Sequence, residues 1–164
     1  NILKNIKKSK LIIKSAKEKN SLDRLKESFK KKGVLDSVIF YSKINLLEDH
    51  LKLYKKIDIA LDTFPYNGVT TSFEAIWMGV PVITMAGYNF NSRCGESINK
   101  NLNMNFLIAK NNSEYISKAV ELSNNLDKYL ELRKQVYEKS LKSPLFNAES
   151  YSKNFYKSLE EIIK

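Results

Sequence analysis

The sequence predicts an α/β domain with a doubly wound parallel sheet and a closing set of C-terminal helices. Three observations predict it. Short apolar runs rich in β-branched residues alternate with segments of helical period. The connections between them are only a few residues long. Strand signals stop near residue 109, and only helical stripes follow. Such alternation implies βαβ units, whose crossovers make neighbouring strands parallel and place helices on both faces. The 164 residues fit one domain, large enough to bury roughly two thirds of the unfolded surface.

In chain order, "KLIIKS" (10–15) is a buried strand. "SLDRLKESFKKKGV" follows with Leu22, Leu25 and Phe29 at helical spacing, Ser21 as a cap and Gly33 as a stop. "SVIFY" (37–41) is a second strand. "LLEDHLKLYKKI" (46–57) is a helix with Leu47, Leu51 and Tyr54 on its apolar stripe. "DIALDT" (58–63) is a third strand, "TTSFEAIWMG" (70–79) a helix ended at Gly79, and "VPVITM" (80–85) a fourth strand. A helix over 91–102 and the strand "FLIA" (106–109) complete the alternation. Two helical stripes come next, Tyr115, Ala119 and Leu122, then Leu126, Tyr129, Leu132 and Val136. Pro144 breaks them, and "NAESYSKNFYKSLEEIIK" forms the last amphipathic helix.

Composition narrows the function. The net charge is +10, from 28 Lys+Arg against 18 Asp+Glu. The lysines are dispersed and arginine stands only at Arg24, Arg93 and Arg133, which argues against a base-reading nucleic-acid partner. A dispersed positive charge suits a phosphate-bearing small ligand better. No apolar run reaches the ~20 residues of a membrane span, and "NILKNIKKSKLIIKS" lacks the apolar core of a signal peptide. The single cysteine, Cys94, cannot form an internal disulfide and fits a reducing cytoplasm. Without an initiating Met, the chain is expected to be a piece of a longer protein.

The loop over 62–69 follows a strand and precedes a helix, at the sheet edge where α/β proteins bind ligands. Pro65 stiffens it, and Gly68 permits close backbone approach. Thr70 and Thr71 fall at the helix N-terminus, where free N–H groups and the dipole favour an anion such as a diphosphate. Glu74, about one turn on, can accept from a ribose diol. Spacing alone leaves a plainer alternative open, in which the threonines merely cap the helix and Glu74 favours its dipole.

"DIALDTFPYNGVTTSFEAIWMGVPVITMAG" (58–87) resembles the donor-binding core of the O-GlcNAc transferase family, including its SPINDLY-like bacterial members. "EDHLKLY" before it, and "SRCGES" (92–97), "IAKNNSEYISKAVEL" (108–122) and "SPLFNAESY" (143–151) after it, keep the family's order and spacing. The resemblance implies that residues 1–164 form the C-terminal, nucleotide-sugar-binding, Rossmann-like lobe of a GT-B glycosyltransferase, a fragment of a longer chain. Family members carry a first lobe and usually tetratricopeptide repeats upstream. It implies transfer of a sugar, GlcNAc from UDP-GlcNAc, to Ser or Thr of an acceptor protein, without a metal cofactor. Other relatives use GDP-fucose or UDP-glucose, so the sugar stays open.

By the same resemblance Thr70 and Thr71 bind the donor diphosphate, Glu74 holds the ribose hydroxyls, and His50, the sole histidine, packs on the uracil. Asn67 and Gly68, in the same loop, are expected to bind the nucleotide sugar with them. Asp62, Val69 and Arg93 are outer candidates: Asp62 for sugar hydroxyls or an Asx turn, Arg93 for phosphate or a loop tie. Val69 replaces a histidine of animal members, and Leu47 replaces a lysine. The pyrophosphate-gripping lysine of relatives would precede residue 1, so the chain alone is expected to transfer no sugar. No catalytic residue is assigned to this lobe. Cys94 has no evident histidine partner and is expected to pack. Trp77 and Met78 are expected in the core. No Asp-x-Asp or metal-ligand spacing occurs. The alternative is a non-catalytic module that senses a nucleotide sugar or docks a partner.

Overall fold

The computed structural model describes residues 1–14, 19–41, 44 and 46–163. Ser15 and Lys164, the ends of two expected elements, lie outside these residues, as does the side chain of Leu126. The described chain forms helices α1 (Ile2–Asn5), α2 (Lys19–Lys31), α3 (Leu47–Leu53), α4 (Thr70–Trp77), α5 (Cys94–Asn101), α6 (Asn112–Ser123), α7 (Leu126–Lys142) and α8 (Ala148–Ile163). Its strands are β1 (Leu11–Lys14), β2 (Val38–Tyr41), β3 (Ala60–Leu61), β4 (Val82–Met85) and β5 (Ile108–Ala109). The α/β class and the parallel pairing expected from the alternation are present. The short helix α1 had no counterpart in the sequence reading.

The strands form two parallel ladders among the described residues. β1 pairs with β2, Leu11 opposite Val38 through Lys14 opposite Tyr41. β4 lies between β3 and β5, with Ala60 opposite Val82 and Thr84 opposite Ile108. Residues of β1 and β3 both line one cavity of about 1120 Å³, and no ladder joins the two strands among the described residues. The third strand is shorter than expected, Ala60–Leu61, and the N–H groups in and beside it bond to the backbone carbonyls of Pro81 and Ile83.

The core sits around β4. Val82, Ile83 and Thr84 are fully buried, as befits a strand read from an unbroken apolar run. α5 and α6 pack on β4, and α7 packs on α4 and α6. The stripe residues Tyr115, Ala119, Leu122, Tyr129, Leu132 and Val136 are all buried. By contrast, no described residue before His50 is fully buried. α8 rests mainly on the turn at Pro144–Phe146 and leaves Tyr151, Phe155, Tyr156 and Ile162 exposed.

Three expectations need correction. Leu47 is 66% exposed, because α3 is rotated so that His50, Leu53 and Tyr54 face inward. Trp77 is 42% exposed: it lies on a seam against Phe146 (centroids 5.0 Å apart) and Tyr137 (6.4 Å) instead of in the core. Ser21 sits inside the first turn of α2, which begins at Lys19, and so does not precede the helix as a cap. Gly33 and Gly79 do turn the chain after α2 and α4, each in the left-handed region (φ 65° and 71°).

Candidate functional site

Asp62 anchors the loop at the carboxyl end of β3. Its Oδ1 accepts from the Gly68 N–H (2.7 Å) and its Oδ2 from the Thr84 hydroxyl (2.7 Å). Tyr115 donates to the Asp62 carbonyl (2.7 Å). Asn67, also buried, closes the other side: its amide donates to the Thr63 carbonyl (2.7 Å) and accepts from the Gly95 N–H (3.2 Å). Both ends of that amide are used inside the protein, so Asn67 contributes by shaping the loop. Gly68 has a specific reason to lack a side chain, since a Cβ there would lie 2.5 Å from the Thr71 hydroxyl oxygen.

Burial pushes the Asp62 carboxyl above the usual carboxylate range, against the downward pull of its bonds from Gly68, Thr84 and Thr63. The folded state therefore binds this proton more readily than the unfolded one. Stability should fall as pH rises from the ordinary carboxylate range through the raised value, and stay reduced above it. Asp62→Asn cannot take up the proton, and should flatten the acid part of a melting-temperature profile against pH. An unaltered slope would remove Asp62 as its source.

At the N-terminus of α4 the first ladder bond runs from the Phe73 N–H to the Val69 carbonyl (2.9 Å), which leaves the amides of Thr70, Thr71 and Ser72 outside the ladder. The cap position is taken by Val69, whose side chain makes no capping bond. Thr70 and Thr71 are the first helical residues, both exposed, and their hydroxyls make no hydrogen bond among the described residues. The geometry therefore gives the threonines no cap to serve. It presents free amides and hydroxyls at the positive end of a helix.

Glu74 stands one turn further on, and two groups converge on it. His50 Nε2 lies 2.8 Å from Glu74 Oε2. The Tyr54 hydroxyl reaches the same oxygen (3.1 Å) and the Thr71 carbonyl (3.2 Å), so it ties the threonine turn to the carboxylate. Burial and the negative Glu74 raise the Tyr54 phenol well above its usual range, which keeps it a donor. Lys14, at the carboxyl end of β1, places its ammonium 3.2 Å from His50 Nδ1. His50 is 9% exposed and lies edge-on to Tyr54, centroids 5.6 Å apart. It is thus an inward residue.

Tyr54, Lys14, Thr84 and Gly95 are not among the site residues that the sequence singles out. Tyr54 was legible only as an apolar stripe position; its phenol, however, is what reaches the site. Arg93 donates to Glu96 Oε2 (2.8 Å), and Lys100 meets Oε1 (2.7 Å). Lys100 first and Arg93 second hold Glu96 below the usual carboxylate range. This is the loop tie that was one of the two roles open to Arg93, although its side chain is still 55% exposed. The Cys94 thiol donates to the Phe90 carbonyl (3.3 Å), while the sole histidine is engaged elsewhere. Val69 is exposed beside the threonines.

The family model described as glycosyl transferase family 41 matches residues 1–155. A Hordeum vulgare protein described as "Probable UDP-N-acetylglucosamine--peptide N-acetylglucosaminyltransferase SPINDLY" is 41% identical over 110 residues, which cover 67% of this chain and 12% of that protein. A Caenorhabditis elegans UDP-N-acetylglucosamine–peptide N-acetylglucosaminyltransferase is 32% identical over 120 residues, 73% of this chain and 10% of that one. Among solved structures, a mutant O-GlcNAc transferase of Thermobaculum terrenum matches with a TM-score of 0.89 at 28% identity, over 98% of this chain and 31% of that chain. The chain therefore spans a small part of these relatives' length. The match nevertheless takes in both ladders, the loop pinned by Asp62 and the helix it leads into, and by it this chain belongs to glycosyl transferase family 41.

Proposed function

We propose that the chain is the donor-binding lobe of a glycosyltransferase that moves a sugar from a nucleotide sugar, GlcNAc from UDP-GlcNAc, to Ser or Thr of a protein. The observation that carries this reading is the uncapped N-terminus of α4, where the exposed Thr70 and Thr71 stand one turn from Glu74. The relatives' printed names, which specify a UDP-N-acetylglucosamine donor and a peptide acceptor, support it.

In this reading the amides and hydroxyls at Thr70 and Thr71 take the diphosphate. As the bond from the anomeric carbon to the phosphate oxygen breaks, negative charge grows on the diphosphate. Preorganised donors at a helix N-terminus stabilise that charge without a metal ion. Glu74 keeps Oε2 on His50 and Tyr54 and offers Oε1 to the ribose hydroxyls. His50 packs its ring edge on the base. Deprotonation of the acceptor hydroxyl falls to a first lobe elsewhere in the full-length protein or to the donor phosphate itself. That first lobe and tetratricopeptide repeats complete the protein in this reading, in the cytoplasm, where a lone thiol is stable.

Calorimetric titration of the chain with UDP, GDP and uridine tests the reading. UDP should bind, uridine should bind more weakly, and the UDP-to-GDP ratio reports the base. Binding of neither diphosphate would overturn it.

A further inference from the structure

We propose that Lys14 is a positioning residue of this site, which fixes the tautomer of His50 and through it the aim of Glu74. The inference rests on the donor-binding reading of Glu74 and adds a residue to it. A lysine ammonium carries three donors and no acceptor. At 3.2 Å from Nδ1, it can bond only to an Nδ1 that presents a lone pair. The ring proton must then sit on Nε2, 2.8 Å from Glu74 Oε2, where an acceptor is waiting. The three side chains form one directed chain, from ammonium to imidazole to carboxylate.

The surroundings leave little freedom. The imidazole is 9% exposed and edge-on to Tyr54. Turning the ring over would exchange both nitrogens for carbons and lose both bonds. Glu74 Oε2 receives His50 and Tyr54 together, which turns the carboxylate so that Oε1 has no partner among the described residues. Lys14 arrives from a distant part of the chain, 36 residues from His50, as the last residue of a strand held in register opposite Tyr41. Without Lys14 the two neutral tautomers compete. The one with the proton on Nδ1 sets a lone pair against the carboxylate and frees Glu74 to turn.

Because the chain has one histidine, a long-range proton–nitrogen spectrum of the imidazole contains one ring. With the imidazole neutral, the wild type should show a pyridine-like Nδ1 and a pyrrole-like Nε2. Lys14→Met should move both shifts toward averaged values, and Lys14→Arg, which also only donates, should restore them. UDP and uridine affinity should each fall roughly three- to tenfold in Lys14→Met, the range of one hydrogen bond. Inorganic pyrophosphate, which has no diol, should not respond.

Unchanged nitrogen shifts in Lys14→Met would overturn the tautomer role. Changed shifts with unchanged UDP affinity would overturn the positioning role. A pyrophosphate loss equal to that of UDP would overturn it in favour of direct contact between Lys14 and the diphosphate. If the wild type bound no UDP, the donor-binding reading would fail by itself, and the nitrogen shifts would still decide the tautomer.

Discussion

Gly95→Ala is expected to lower the melting temperature by about 5–10 °C, although alanine is the better helix former. In the first turn of α5 the substitution gains up to about 1 kcal/mol of helix propensity. Against that, the added Cβ would fall on the Thr84 hydroxyl and on Asp62 Oδ2, the two ends of the buried bond that anchors the loop. Overpacking of this kind costs about 1–3 kcal/mol. Displacing the Thr84 hydroxyl from a buried carboxylate adds roughly 1–3 kcal/mol. These terms bracket a net loss of about 1–6 kcal/mol, and a loss of about 2–3 kcal/mol within that range gives the stated shift at about 2–4 °C per kcal/mol for a chain of this size. Gly33→Ala is the control: its φ of 65° strains alanine, but no atom lies within 4 Å of the new Cβ, and only about 1 kcal/mol should be lost. Melting curves followed by circular dichroism measure both. A Gly95→Ala protein that melts with the wild type would mean that α5 does not press on the Asp62–Thr84 pair.

The second large effect separates ligands. Thr71→Ala should weaken UDP by roughly 1.5–3 kcal/mol, the worth of a hydrogen bond to a charged group, or about ten- to a hundredfold in Kd. Uridine should hardly respond. Glu74→Gln keeps the side chain's length but removes its charge; it should weaken uridine and UDP alike and leave a 2′,3′-dideoxy diphosphate nearly unaffected. Since Thr71 makes no capping bond, its replacement should leave the unfolding free energy of the free chain within about 0.5 kcal/mol of wild type. Equal losses across uridine, UDP and the dideoxy ligand would defeat both assignments, and a large loss of unliganded stability in Thr71→Ala would return the threonine to a structural role.

Much of the fold could be read from the chain because its elements announce themselves locally. "VPVITM" has no polar alternation and is a strand buried on both sides; Gly33 and Gly79 stop helices in the only conformation that favours glycine there. The errors share a cause. On α3 a stripe through Leu47, Leu51 and Tyr54 and one through His50, Leu53 and Tyr54 differ by a small rotation of the helix. Apolar count favours the first. The second won because His50 finds Glu74 and Lys14, partners supplied by other elements. No periodicity within 46–57 contains that information. Trp77 was misplaced for the converse reason: its cover, Phe146, comes from a turn near the other end of the chain. The threonines and Glu74 were legible since strand, glycine loop and helix start adjoin in sequence. Tyr54, Thr84 and Gly95 were not, because each acts through a contact made only in the folded state.

The interruption between the two ladders has a further consequence. Among the described residues, the first ladder and the helices α1 and α2 have no fully buried residue, whereas Val82, Ile83, Thr84 and Ala109 of the second ladder are all buried. The two halves are therefore unequal cooperative units, and the first should open well below the free energy that unfolds the second. Lys14 belongs to the weaker unit, His50 and Glu74 to the stronger. The link from Lys14 through His50 to Glu74 acts as a clasp between halves whose described residues share no ladder across the gap, and any ligand that tightened it would add to the cohesion of the domain itself.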